Sequence, residues 1–204
     1  MENPFWQGLS VIADMMILNL LTLLGCIPVV TVGAALTAMN DMVIRIVRQE
    51  EGALLPGYWS SFRQNLKKGA LSGILFLLAA GILYFDYLCA LACAPVFRYG
   101  IAALAVLLLA LAVYVFALLA RYENSLGKTV RNAAMLAVGY FPNTLGMVCF
   151  CAAFWVICIR FWRYGTPVLV MCGLSLPCYV CVILMRRMFK QLEEKKMENG
   201  GETR

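Results

Sequence analysis

Three aspartates lie inside apolar runs of this sequence: Asp14, Asp41 and Asp86. An ionisable side chain in hydrocarbon costs at least ~2.5 kcal/mol on insertion scales, so each is a candidate for a proton or cation relay, or for a polar substrate site between helices. Each also has a plainer reading. Asp41 has Arg45 four residues on, the spacing of a helical ion pair that neutralises itself. Asp86, in LYFDYLC, falls near the end of its run, where water reaches it. Asp14 has no basic partner within its own run and is the least explained of the three. Asn19 and Asn40 accompany Asp14 and Asp41 and suit hydrogen bonds between helices.

The other reactive residue types argue against catalysis. The chain has no histidine, which removes imidazole metal ligands and every Ser-His or Cys-His arrangement. Its nine cysteines all fall in or at the edge of apolar segments. Cys178-Tyr-Val-Cys181 has C-x-x-C spacing, but it sits in mid-run. It has neither the exposed, electropositive setting of a redox thiol nor a second ligand pair for zinc. The cysteines therefore read as small hydrophobes in helix packing. No phosphate-binding loop, nucleophile elbow or paired-carboxylate motif is present. The expectation is a protein with no catalytic residue, metal or cofactor.

The elements that must position these residues are membrane helices. Of 204 residues, 63% are hydrophobic and 14% charged, with a mean hydropathy of +0.82. A soluble domain carries about a quarter charged residues. Five runs are long enough to span ~30 Å of hydrocarbon, at 8–27, 70–93, 99–120, 142–160 and 166–186, with a sixth candidate at 29–48. Two further segments read as amphipathic helices at the headgroups. In 54–69, Trp59, Phe62 and Leu66 line one face while Arg63, Lys67 and Lys68 project elsewhere. In 124–141, Leu126, Val130 and Ala133 repeat, with Lys128 and Arg131 on the polar side, and Pro142 then starts a new helix. The MENPFWQG start lacks the basic region of a signal peptide.

Charge orients the spans. Segments 45–68, 121–131 and 186–204 hold fourteen of the seventeen Lys and Arg residues, against Arg98, Arg160 and Arg163 on the other side. The positive-inside rule then places both basic loops and the C-terminus in the cytoplasm. The basic residues flank apolar runs instead of forming one face, which argues against nucleic acid as a partner. Residues 1–44 hold no Lys or Arg, so the rule leaves the N-terminus open between six spans and five. Pro-Val recurs at Pro28-Val29, Pro95-Val96 and Pro167-Val168. The last two mark outer turns already placed by charge. Reading the first as a third such turn favours six spans in three hairpins, with the N-terminus cytoplasmic. Residues 1–188 then form a single transmembrane domain of these helices, and 189–204 a polar cytoplasmic tail. Gly69-x-x-x-Gly73 marks a close helix approach.

Four stretches carry a family resemblance: NLLTLLGCIPVVTVGAALTAM (19–39), RIVRQEEG (45–52), YWSSFRQNLKKG (58–69) and ARYENSLGKTVRNAAMLAVGYFPNTLG (120–146). Together they resemble the YesL-like family of small bacterial integral membrane proteins, a domain-of-unknown-function family. The most specific matches are Arg121, Asn132 and Pro142 in the last stretch and Phe62, Arg63, Asn65 and Lys67 in the third. The chain departs from the pattern in lacking basic residues before the first span and in its cysteine-rich later spans. The resemblance carries no reaction. It implies an accessory or regulatory role beside carbohydrate uptake or sensing, with carbohydrate ABC-transporter or sensor-kinase components as partners. Phe62, Arg63, Asn65, Lys67, Lys68, Arg121, Lys128, Arg131 and Asn132 are the candidate contacts to such a partner or to anionic lipid. The rival expectation is a small secondary transporter or channel using Asp14 and Asp41.

Overall fold

The computed structural model describes residues 4–50, 52–90, 95–121, 125–160, 167 and 169–186. Among them all regular structure is helical. The helices are α1 (Pro4–Gly25), α2 (Val32–Val47), α3 (Leu54–Ala90), α4 (Pro95–Arg121), α5 (Leu126–Gly139), α6 (Phe141–Arg160) and α7 (Ser175–Arg186). Five of them, α1 to α4 and α6, are long and apolar enough to cross a membrane. Residues 91–94 and 161–166, beside which outer turns are expected, lie outside the described residues, as do Arg163 and the expected 189–204 tail.

The long apolar run at 8–48 is two helices. Pro28 is extended, and residues Val29–Thr31 make one 3-10 turn before α2 begins. Thr31 closes the reversal by donating its hydroxyl to Gly25 O and Pro28 O, both at 2.8 Å. α1 and α2 then pack on one another. Met15 and Leu18 of α1 share one buried core cluster with Ala34, Ala35, Ala38 and Val43 of α2. At its far end α2 stops on a Schellman motif: Gln49 N–H bonds Ile46 O and Glu50 N–H bonds Arg45 O. Gln49 itself takes the left-handed conformation, φ 56°, that glycine usually supplies there.

The 54–69 segment departs from the expected headgroup helix. It is the first part of a single 37-residue helix, α3, which at 1.5 Å per residue is about 55 Å long. Small residues are the reason. Gly33 and Ala34 of α2 meet Gly69 and Gly73 of α3 backbone to backbone: a Cβ built on Gly73 would lie 2.7 Å from Gly33 Cα. A Cβ on Gly57 would lie 3.0 Å from Met42 Sδ. The two helices therefore run antiparallel and in contact from residue 57 to residue 73. Gly69 serves as a packing surface and not as a helix break. This register also chooses the buried face. Tyr58, Ser61 and Phe62 turn inward, and Trp59 and Leu66 face outward, so of the expected Trp59-Phe62-Leu66 stripe only Phe62 enters the protein core. In α5 the buried residues are Thr129 and Ala133 in place of Val130, which is exposed.

The last apolar run, expected as one span over 166–186, is interrupted. Residues 169–172 are helical, Gly173 and Leu174 form a turn, and α7 starts at Ser175. Pro177 accounts for the break: it has no N–H to give Gly173 O, and its ring would clash with that carbonyl in a continuous helix.

Candidate functional site

Two polar clusters stand out in this mostly apolar bundle. The first fills the break in the last run. Asn19 of α1 is fully buried. Its Nδ2 donates to Val170 O at 2.7 Å and, more weakly, to Leu169 O at 3.4 Å. Its Oδ1 accepts from Leu174 N–H at 2.9 Å and Ser175 N–H at 3.2 Å. One side-chain amide thus serves both the carbonyls that end the 169–172 turn and the N–H groups that begin α7. An amide offers two donors and two acceptor sites, and all are engaged. Asn40 works similarly on a smaller scale. Its Nδ2 donates to Leu36 O at 2.9 Å and its Oδ1 accepts from the Cys178 thiol at 3.3 Å. Both asparagines tie α7 to the α1–α2 pair, the interhelical role expected of them.

The second cluster is a cavity of about 330 Å³ between α2, α3 and α4. Asp41 and Arg45 line it from α2; Ser61, Gln64, Asn65 and Lys68 from α3; Leu119, Ala120 and Arg121 from α4. α2 and α3 bring their residues there by simple periodicity, and α4 contributes its last three residues. Asp41/Arg45, Ser61/Asn65 and Gln64/Lys68 are each spaced i,i+4, and so share a helix face. Asp41 Oδ2 and Arg45 Nη2 form an ion pair at 3.1 Å. Asn65 Nδ2 donates to Ser61 O at 3.0 Å, and Gln64 Nε2 to Ser60 Oγ at 3.2 Å. Asp41 is the one carboxylate among the described lining residues, against Arg45, Lys68 and Arg121.

The site residues expected from sequence divide accordingly. Asp41, Asn65, Lys68 and Arg121 come together in this cavity, although they belong to three separate sequence stretches. Phe62 points the other way, into the α1–α2–α3 core, and stacks on Trp59 with ring centroids 5.5 Å apart. Arg63 lies over the outer face of Trp59, 5.5 Å from the ring centroid, a cation–π contact. Arg63, Lys67, Lys128, Arg131 and Asn132 are exposed. Asp86 is exposed and Asp14 half-buried; neither lines the cavity. Ser61 and Gln64 were not foreseen, although their i,i+4 spacing to Asn65 and Lys68 was available as a signal. The Asn19 lock was signalled only by Gly173 and Pro177 four residues apart.

Every described cysteine is a free thiol; Cys151, Cys158, Cys178 and Cys181 are buried, as packing groups would be, whereas Cys89 and Cys149 are exposed. Cys151 of α6 and Cys181 of α7 touch at 3.7 Å. Tyr114 and Thr144, hydrogen-bonded at 2.9 Å, join α4 to α6, and the same threonine hydroxyl lies 3.1 Å from Ala137 O of α5.

Comparison with known proteins reaches part of this chain. Residues 15–87 match the model of a family described as a protein of unknown function, DUF624. That stretch contains the second half of α1, all of α2 and nearly all of α3, hence the α2 and α3 walls of the cavity but not Arg121. No curated protein and no solved structure matches the chain.

Proposed function

We propose that this chain is a non-enzymatic membrane protein of the YesL-like type that accompanies a carbohydrate uptake or sensing system, and that its basic end is the working end. The observation that carries the proposal is convergence. Three stretches far apart in sequence, around Arg45, Lys68 and Arg121, meet at one cavity. Arg63 and Lys67 are exposed on α3, and Lys128 and Arg131 on α5, which follows α4. Side chains that merely orient spans need no such convergence. In this reading the fourteen basic residues face the cytoplasm. Six spans are then counted by taking the α1–α2 hairpin and the interrupted 166–186 run as crossings. The contact between Arg186 Nη1 and Val47 O, 2.9 Å, brings two basic helix ends together and supports placing them on one side.

Photo-crosslinkers at Arg63 and Lys128, activated in native membranes, test the partner. A carbohydrate-transporter or kinase subunit recovered from both positions is the expected result, and recovery of neither class above background would remove the reading's support. Single cysteines replacing Asn3 and Val30 in a cysteine-free background test the topology. Labelling from outside at 30 and not at 3 is expected; labelling at 3 means five spans.

The interrupted last run favours a second reading, a small secondary transporter or channel, because broken helices line substrate sites in many transporters. It would require a solute or proton flux in proteoliposomes that Asp14→Asn abolishes while the protein stays folded. Absence of flux for the wild-type chain across sugars and ions would end it.

A further inference from the structure

The cavity between α2, α3 and α4 is unbalanced in its hydrogen-bonding groups, and the imbalance describes a ligand. Arg45 is committed in part to Asp41, at 3.1 Å, and Arg121 is itself engaged. Lys68 lines the same cavity, is exposed, and has no ion pair among the described residues. An ammonium brings three N–H donors and a guanidinium five, with no acceptor on either. Around them sit two carboxamides and the Ser61 hydroxyl. The Asp41 carboxylate, already facing Arg45, is the only anionic group among the described lining residues. Whatever complements this wall must supply acceptor oxygens and negative charge together.

A phosphoryl group supplies both: several strong acceptor oxygens and, as a monoester near neutral pH, about −1.5 to −2 of charge. Charge-assisted bonds from Arg and Lys to phosphate are about twice as strong as neutral ones. Size narrows the choice further. At about 330 Å³ the cavity is at the small end of ligand sites, which run from roughly 300 to 1,000 Å³. The carboxamides of Gln64 and Asn65 and the Ser61 hydroxyl suit hydroxyls or ester oxygens next to the phosphoryl group. We infer that this cavity is a binding site for a phosphoryl group carried on a small polar body, held chiefly by Lys68 and Arg45. The inference rests on the reading that the basic end is the working end. The group comes from one of two sources, a free phosphorylated polyol or the headgroup of an anionic lipid.

The experiment uses the purified full chain in nanodiscs, so that partner crosslinking in native membranes remains an independent result. Equilibrium dialysis with labelled glycerol 3-phosphate in phosphatidylcholine discs tests the free source. Saturable enrichment of phosphatidylglycerol over phosphatidylcholine, read by native mass spectrometry, tests the lipid source. Saturable binding in either arm, weakened about tenfold or more by Lys68→Gln and untouched by Arg160→Gln, supports the site and names its source. Arg160 is the control because it is a cation that is exposed, does not line the cavity and is not among the candidate lipid or partner contacts. Binding in neither arm overturns the inference. So does binding that survives both Lys68→Gln and Lys68→Glu, or citrate competing as well as the phosphate ester. Thermal melts of each variant confirm that the losses are not unfolding.

Discussion

Asn19 and the cavity around Lys68 are both polar groupings in an apolar chain, built on opposite hydrogen-bond balances. At Asn19 four backbone groups and one amide satisfy each other completely, and the residue has no exposed surface. At the cavity, cationic donors outnumber anionic acceptors and several side chains reach water. A polar residue in a membrane helix is by default a functional candidate. The pair teaches how to sort such candidates. A group with every valence internally matched is there to hold the fold, whereas a cluster with unmatched donors has capacity left for something that arrives from outside. Position in the sequence does not separate them, since Asn19 and Asp41 both come from the same pair of apolar runs.

Substitutions can break this distinction, and the largest effect is expected in the frame both clusters share. Gly33→Leu puts a side chain into the backbone of α3 at Gly69 and Gly73. It should cost more than ~3 kcal/mol, the upper range for overpacking, and yield no monodisperse protein on size exclusion. Asn19→Leu comes next. It strands Val170 O, Leu174 N–H and Ser175 N–H in a buried place, at ~1–3 kcal/mol for each unsatisfied group. The melting temperature in detergent should fall sharply while folded protein at low temperature keeps its phosphoryl ligand. An unchanged melt would show that the lock is not structural. Cys178→Ala removes the weak thiol bond to Asn40 and one buried sulfur from the core, and should lower stability by about 1–2 kcal/mol in the same melt. Lys68→Gln, at an exposed position, should stay within ~0.5 kcal/mol. If it destabilised the chain as Asn19→Leu does, the contrast between the two clusters would be lost.

How much of this was legible beforehand follows from range. The helices were, because apolar runs of this length report themselves locally. So was the reversal at 26–31, where Pro28 and two glycines punctuate the run. The interhelical role of Asn19 and Asn40 was legible as a type of contact, but not its partner: nothing near Asn19 points to a turn 150 residues later. The face that 54–69 packs against the protein was not legible for a related reason. Its aromatic stripe is a local signal, whereas the face it buries is dictated by Gly33, Ala34 and Met42 on another helix. The cavity was half legible. The basic residues on each segment were visible, and Asp41/Arg45 was read as an ion pair from spacing alone. Their meeting in one place depends on how α2, α3 and α4 cross, which periodicity within a helix does not encode.

The continuity of α3 has a mechanical meaning. One rigid rod carries Ser61, Gln64, Asn65 and Lys68 near one end and Tyr84 to Tyr87 near the other, and it is gripped where Gly69 and Gly73 meet α2. Beyond the contact with α2, which runs from residue 57 to residue 73, the arm from Gly73 to Ala90 is about 25 Å long and packs on α4 through Phe76 and Phe116, so a tilt of the rod by about 5° sweeps its tip through roughly 2 Å. Had the helix ended at residue 69, where the expected 54–69 and 70–93 segments divide, a ligand settling between α2 and α3 would touch only a short separate piece. With the rod unbroken, the cavity wall and the far end of α3 belong to one body.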